Sequence, residues 1–400
     1  MLSKKYDMNI VSLTAMGIGS VVGAGIFALL GQVILLAGNW TYAAFILAGT
    51  AAMLSGYTYA KLAGKYPESG GMTDYFHFAF KNKTITGTLS IIYMLASLVS
   101  IAMMAKSFGI YVASLFPHFP DHDLLMNTVA GALVVSLAVL NMMRASDVGN
   151  SEILMVAIKM GILLSLIFAA LWHLELAVEQ ELIQTTPMKF LGSVGITFFA
   201  YAGYGIVTNA AAEVKNPKRT VGWAIFLTLG FVMLMYIGLA YVVLNFIPAH
   251  DLRQNADTAV AIAADRLLGK YGFAIMYFAA LLAFVSGISA TYFSIFRISR
   301  SLSDFKILPR FYHEKFWQHG TKGNVLSTFL LAVATVYFDF SSIVNFSSGA
   351  YLVSYLGVFA ASWILRKETG ASGFIIAAGI ALMLFIFITF MISIFSPEMG

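Results

Sequence analysis

Apolar runs long enough to cross a bilayer recur along the whole chain, and they leave few folds open. They cover approximately 9–36, 40–60, 84–116, 124–143, 151–173, 190–212, 220–247, 272–303, 325–338, 342–364 and 371–395. A spanning helix needs about 20 apolar residues. Closed barrels are built instead from short segments of alternating polarity. The unbroken runs therefore predict an all-α integral membrane protein with about 11 transmembrane helices. Composition agrees: 60% of residues are hydrophobic and 11% charged, against about 25% charged in soluble domains. The ninth run is short, and a tight turn at Asp339 joins it to the tenth.

The loops test this count. Of the 24 Lys and Arg, four (Lys189, Arg253, Arg266 and Lys270) fall in loops on one side. Two (Lys106 and Lys159) lie within spans, and the other 18 fall in loops on the opposite side. Basic residues concentrate on the cytoplasmic side of membrane proteins. The asymmetry predicts a cytoplasmic N-terminus and supports the short ninth span; the membrane expected is a bacterial inner membrane. The net charge of +5 is then a topology signal, and no nucleic-acid partner is expected. Lys4 and Lys5 precede an apolar run too long for a signal peptide, so that run reads as the first span. The chain has no cysteine, which excludes disulfides, thiolate metal sites and cysteine nucleophiles.

Within the first span, Gly17, Gly19, Gly23 and Gly25 fall in nine residues. Each costs about 1 kcal/mol relative to alanine inside a helix. Two readings stand open for them alone: close helix packing, or a broken helix whose unwound backbone holds a ligand at mid-membrane. The sixth span has a similar soft region, Phe198 to Gly205, interrupted by Gly203 and Gly205. Matched glycine interruptions in two halves point to a transporter site at the repeat interface. They favour the broken helix, with the burden on Gly23, Ala24 and Gly25. Gly17 and Gly19 then read as packing positions facing spans five and eight. Half-helix N-termini can receive a carboxylate through unpaired N–H groups, and unwound carbonyls can accept from an ammonium. A zwitterionic amino acid presents both.

Every Asp, Glu and His falls in a loop or at a span end. Lys159 lies eight residues into span five, about 12 Å deep at 1.5 Å per residue. Ser286 lies fourteen residues down span eight from the other face, about 21 Å. In a core about 30 Å thick these depths are similar, with Ser289 deeper and the span-one break alongside. An ammonium there meets span-eight hydroxyls and free carbonyls of span one, and could load and unload a proton. The other reading of Lys159 is a side chain snorkelling to the inner interface; for Lys106, near the outer end of its span, snorkelling is the expectation. Outside the spans, loop 66–75 reads as a turn followed by interfacial aromatics, and 258–264 as a short helix over the outer mouth. There is no phosphate loop, no paired intramembrane carboxylate and no His cluster. No enzymatic activity, cofactor or metal is expected.

Several stretches resemble the amino acid–polyamine–organocation (APC) superfamily of permeases. Gly23-Ala24-Gly25-Ile26-Phe27 is similar to its span-one signature, and Tyr66-Pro67-Glu68-Ser69-Gly70-Gly71 to its first inner loop. Glu213-Val214-Lys215-Asn216-Pro217-Lys218-Arg219 is similar to its motif after span six. Ser286, Ser289 and Arg297, followed by Leu308-Pro309, match its span-eight pattern. The resemblance implies a LeuT-like 5+5 inverted repeat: residues 1–173 (TM1–TM5), 189–366 (TM6–TM10) and an additional span at 371–395. It implies that the backbone at Gly23, Ala24 and Gly25 holds the substrate carboxylate and that carbonyls near Ala200 and Tyr201 receive its ammonium. Phe199 would gate the substrate, and Ser100 would lie near its side chain. Lys159 would take the place of a sodium ion, as in proton-coupled members. The chain departs from the family where Gly205 stands at a position that is acidic in many relatives, and in having eleven expected spans where most have twelve. The function expected is alternating-access transport of L-amino acids, coupled to protons through Lys159. No core carboxylate awaits a cationic side chain, and Phe199, Tyr201, Tyr204, Met103 and Met104 offer apolar walls, so the substrates expected are neutral. Exchange or export, and a membrane sensor that binds without transport, are the alternatives.

Overall fold

The computed structural model describes residues 8–67, 71–116, 118–143, 148–178, 183–317 and 320–395. Helices form almost all of it, and among the described residues there is no strand beyond isolated bridges. The first expected span is two helices, α1 (Ile10–Val21) and α2 (Ala24–Ala37). Then come α3 (Thr41–Lys65), α4 (Met72–Phe80), α5 (Lys83–Ser114), α6 (His122–Met143) and α7 (Val148–Trp172). The sixth span is also divided, into α8 (Pro187–Tyr201) and the single turn α9 (Ile206–Asn209). The chain continues with α10 (Pro217–Phe246), α11 (Ala249–Gln254), α12 (Ala259–Asp304), α13 (Lys322–Tyr337), α14 (Phe340–Ile364), α15 (Arg366–Thr369) and α16 (Gly373–Phe395).

Among the described residues, nine stretches are long and apolar enough to cross a membrane. Two expected segments fall outside that measure for physical reasons. The halves of the first span are 12 and 14 residues long, because the chain is broken between them. Helix α13 has 16 residues, about 24 Å at 1.5 Å per residue.

Polar residues set the ends. Asn9 accepts from the Ser12 N–H at 2.9 Å, Asn82 from Thr84 and Ile85, Thr186 from Lys189 ahead of Pro187, and Thr321 from Asn324. Asp339, at the tight turn, caps α14 through the Ser342 N–H and hydroxyl, at 2.8 and 2.7 Å. The Ser342 hydroxyl, then its N–H, hold this carboxylate below its usual range. Such caps satisfy the first helical amides, which have no partner inside the helix.

One of the two loops singled out in the sequence differs from expectation. The stretch after Tyr66 folds back as α4, and Tyr75 and Phe76 are fully buried where interfacial aromatics were expected. The helix turns under the bundle against α5 and α14. Part of its preceding motif, 68–70, lies outside the described residues. The short helix expected in the loop before the eighth span forms at 259–268; at Gly269 the backbone leaves the helical region (φ +65°, ψ −163°), so α12 is two helices meeting at a kink, the second being the eighth span. Lys106, in the C-terminal part of α5, is covered rather than snorkelling, and the charges of Asp339 and Asp123 act on it.

Candidate functional site

Breaking a helix frees carbonyls that would have accepted from residues four ahead. In the first span the ladder stops after Val22, whose N–H still reaches the Ile18 carbonyl at 2.8 Å. Val22 and Gly23 leave the helical region, at φ −84°, ψ 52° and φ −101°, ψ −93°. Lys159 answers the freed carbonyls. Its side chain is 0% exposed. Its Nζ donates to the carbonyls of Gly19 (3.1 Å) and Val22 (3.0 Å) and to the Ser286 hydroxyl (2.9 Å). A buried cation is tolerable when hydrogen bonds replace its hydration. Three helices distant in sequence, α1, α7 and α12, thus meet at one ammonium. Ser289 lies one turn further along α12 and is half-buried.

The second break runs through Ala202–Gly205. Ala202 is extended at ψ 151°, and Gly203 has φ +112°, a conformation L side chains rarely adopt. The Ser20 hydroxyl of α1 donates to the Gly203 carbonyl at 3.2 Å, so the two breaks touch. The Tyr236 hydroxyl of α10 lies 3.1 Å from the Val21 carbonyl and 3.0 Å from the Ala200 carbonyl. A phenol carries one hydrogen, so one proton serves a carbonyl from each break. Tyr236 is fully buried. Sequence reasoning missed it: it is one of 19 tyrosines, and nothing in its local pattern marks it.

The breaks border a cavity of about 30 Å³. Ser20, Val21, Gly25, Ser100, Met103, Met104, Phe199, Ala200, Ala202, Gly203, Thr291 and Tyr351 line it. Of the expected site residues it gathers Gly25, Ser100, Phe199 and Ala200. At Gly25 the backbones of α2 and α8 come so close that a Cβ would lie 2.5 Å from the Ala200 carbonyl oxygen. Helix α2 starts here, at Ala24, with no side-chain cap, so its first N–H groups have no partner inside the helix. Gly23 packs instead against Gly287 and Met104 beside the cavity. The Phe199 ring stacks on Tyr351 with centroids 5.5 Å apart.

Tyr201 and Tyr204 sit elsewhere. The Tyr201 hydroxyl donates to the Phe45 carbonyl at 3.1 Å, and its ring packs on Phe45 and Tyr236. Tyr204 joins a buried group of rings with Tyr59 and Tyr355. Gly17 packs, but against Thr228 of α10 and Val207 of α9; α10 lies alongside α1 together with α7 and α12.

Beyond the second break, two of the sequence motifs are joined. Arg297 pairs with Glu213 at 2.6 Å and donates to the Asn209 carbonyl at 2.6 Å. The Asn209 amide donates to the Ser294 hydroxyl at 2.7 Å. The end of the sixth span is thereby tied to α12, and an Arg–carboxylate pair backed by a second acceptor fixes direction as well as charge.

Comparison with known proteins gives this geometry its context. A model of the family described as "Amino acid permease" matches residues 8–400. The inner membrane transport protein YbaT of Escherichia coli is 38% identical over 388 residues, 97% of this chain and 90% of that protein. Cationic amino acid transporter 9, chloroplastic, of Arabidopsis thaliana is 27% identical over 64% of this chain and 48% of its own length. The serine/threonine exchanger SteT of Bacillus subtilis is 23% identical over 76% of this chain and 70% of its own. These names, with the apolar helices, support an integral membrane protein that transports amino acids. The chain belongs to the amino acid permease family.

Proposed function

We propose that this protein is a secondary active transporter of neutral L-amino acids that works by alternating access, with protons coupled through Lys159. The observation that carries the proposal is the meeting of two helix breaks at one cavity, with a buried ammonium fastened across the first. In this reading the substrate carboxylate lies on the uncapped start of α2, at Gly23, Ala24 and Gly25. Its ammonium takes the carbonyls around Ala200, and its side chain faces Ser100, Phe199 and the two methionines. Protonated Lys159 holds Gly19, Val22 and Ser286 together; on losing its proton it gives up part of its donor capacity, and α1 is freed to move against α7 and α12. Ser289 serves the same hydroxyl face. The paired breaks support a 5+5 inverted repeat of residues 1–173 and 189–366, with 371–395 outside it, and a cytoplasmic N-terminus in a bacterial inner membrane.

The test is uptake of radiolabelled amino acids into proteoliposomes with an imposed proton gradient. The expected result is accumulation of small neutral L-amino acids, driven by outside acidification and abolished by a protonophore. Accumulation indifferent to the gradient would remove the coupling; binding of no amino acid would remove the substrate class. A second reading, obligatory exchange, is favoured by the serine/threonine exchanger among the relatives. Counterflow that needs internal substrate would select it.

A further inference from the structure

The end of the bundle where the basic loops gather holds a groove unrelated to the cavity between the breaks. It is about 630 Å³ in volume and lies between the last turns of α3, the first turns of α10 and the short α15. Four cations line it: Lys61 and Lys65 from α3, Lys218 and Arg219 from α10. Among the described residues none of the four takes part in an ion pair. Among the described residues the one carboxylate on the rim, Glu368, accepts the Tyr66 hydroxyl at 2.5 Å. Lys61 lies over the Tyr57 ring, 5.5 Å from its centroid.

Small residues make the floor, where Gly64 meets the Lys218 backbone and Gly222 meets Ala60. One turn deeper toward the membrane centre the character changes. Trp223, 56% exposed, and Phe226 form an apolar wall. The exposed side chains of Leu227 and Leu234 continue it along the outward face of α10.

Topology alone asks only that cations stand near the ends of spans. It does not ask that two helices some 150 positions apart in sequence aim theirs into one groove, nor that the groove open onto an apolar, outward-facing stripe. Cations at the rim with an apolar track beneath match a phospholipid: phosphate at the interface, acyl chain along the helix. Aromatic residues such as Trp223 settle at that interface. We propose that this groove is a binding site for an anionic phospholipid of the leaflet at this end, the cytoplasmic one by the charge asymmetry. Its phosphate sits among Lys61, Lys65, Lys218 and Arg219, and one acyl chain lies along Trp223, Phe226 and Leu227.

The test titrates the purified full-length protein in detergent with dioleoylphosphatidylglycerol, dioleoylphosphatidylcholine or inorganic phosphate, reading thermal unfolding and lipid adducts by native mass spectrometry. The glycerol lipid is expected to raise the unfolding temperature and to stay bound, the choline lipid and phosphate to do neither. The double variant K218Q/R219Q and, separately, K61Q/K65Q should each weaken binding about tenfold. K83Q/K315Q, which removes two cations from the same end but outside the groove, should leave it unchanged. Equal effects of the two lipids would overturn the proposal. So would an equal effect of phosphate, which would make the groove a site for a soluble anion, or an equal loss in K83Q/K315Q, which would make the attraction diffuse.

Discussion

The two helix breaks solve one problem in different ways. Both expose carbonyls in the middle of a bilayer, where an unpartnered polar group costs several kcal/mol. The first break spans two residues, Val22 and Gly23, and its carbonyls are answered mainly by a charge, Lys159. The second runs over four residues, and hydroxyls answer it: Ser20 for Gly203 and Tyr236 for Ala200. A hydroxyl partner is neutral and donates one hydrogen, whereas an amine can carry a charge and donate up to three. The difference teaches which break can be switched. In the proposed mechanism the first break is the one that is fastened and released, and the second keeps its shape.

The largest expected effect breaks that contrast at its origin. Lys159→Met keeps the length of the side chain and removes the charge. Uptake that rises with outside acidification in the parent should become flat with pH, with at least a tenfold loss at the acid end, while the protein still elutes as a folded species. Unchanged pH dependence would take Lys159 out of the coupling. Next is the point of closest approach. Gly25→Val places a Cβ 2.5 Å from a backbone oxygen that cannot step aside. Substrate affinity, measured by ligand-induced thermal shift, should fall more than tenfold, about 1.4 kcal/mol or more. Gly203→Ala tests the other break and should act on stability, because φ of +112° strains any side chain, at a cost of about 1–3 kcal/mol. It should leave the pH profile in place.

An effect of similar size sharpens the link between the breaks. Tyr236→Phe removes the shared hydroxyl and should cost about 1–3 kcal/mol through carbonyls left without a donor. The smallest serves as calibration away from both breaks. Asp339→Ala should cost about 1 kcal/mol for the lost cap of α14. Since folding lowers the affinity of Asp339 for its proton, its contribution is present above the ordinary carboxylate range and fades as pH falls through the lowered value. The variant should therefore converge with the parent in strong acid.

Much of this arrangement could be read from residue types because the membrane makes departures conspicuous. A lysine or a run of glycines inside an apolar span stands against a uniform background, which is why Lys159, Ser286 and Gly25 were visible. The span-one signature and the Glu213 and Arg297 motifs were visible as patterns, although their union in one ion pair was not. Tyr236, Thr291 and Tyr351 carried no such mark; a tyrosine in a membrane helix is equally at home at the interface, in a packing seam or at a site. The same ambiguity misplaced the α4 aromatics, whose burial depends on how a loop folds back. It also left Tyr201 and Tyr204 on the list of walls, since a helix break turns successive side chains in directions that regular periodicity does not foretell.

The cavity between the breaks, about 30 Å³, has a consequence for how strength of binding should be understood. Such a space accommodates about two water molecules, far less than an amino acid. If the substrate binds here as proposed, binding must be preceded or accompanied by expansion, and the measured affinity is the intrinsic affinity scaled by the fraction of molecules already expanded. Substitutions at distant contacts, such as the Arg297–Glu213 tie, can raise or lower apparent affinity with every ligand-touching atom unchanged. Across such variants, apparent affinities for different substrates should move in parallel, and only substitutions at the cavity wall should change their order.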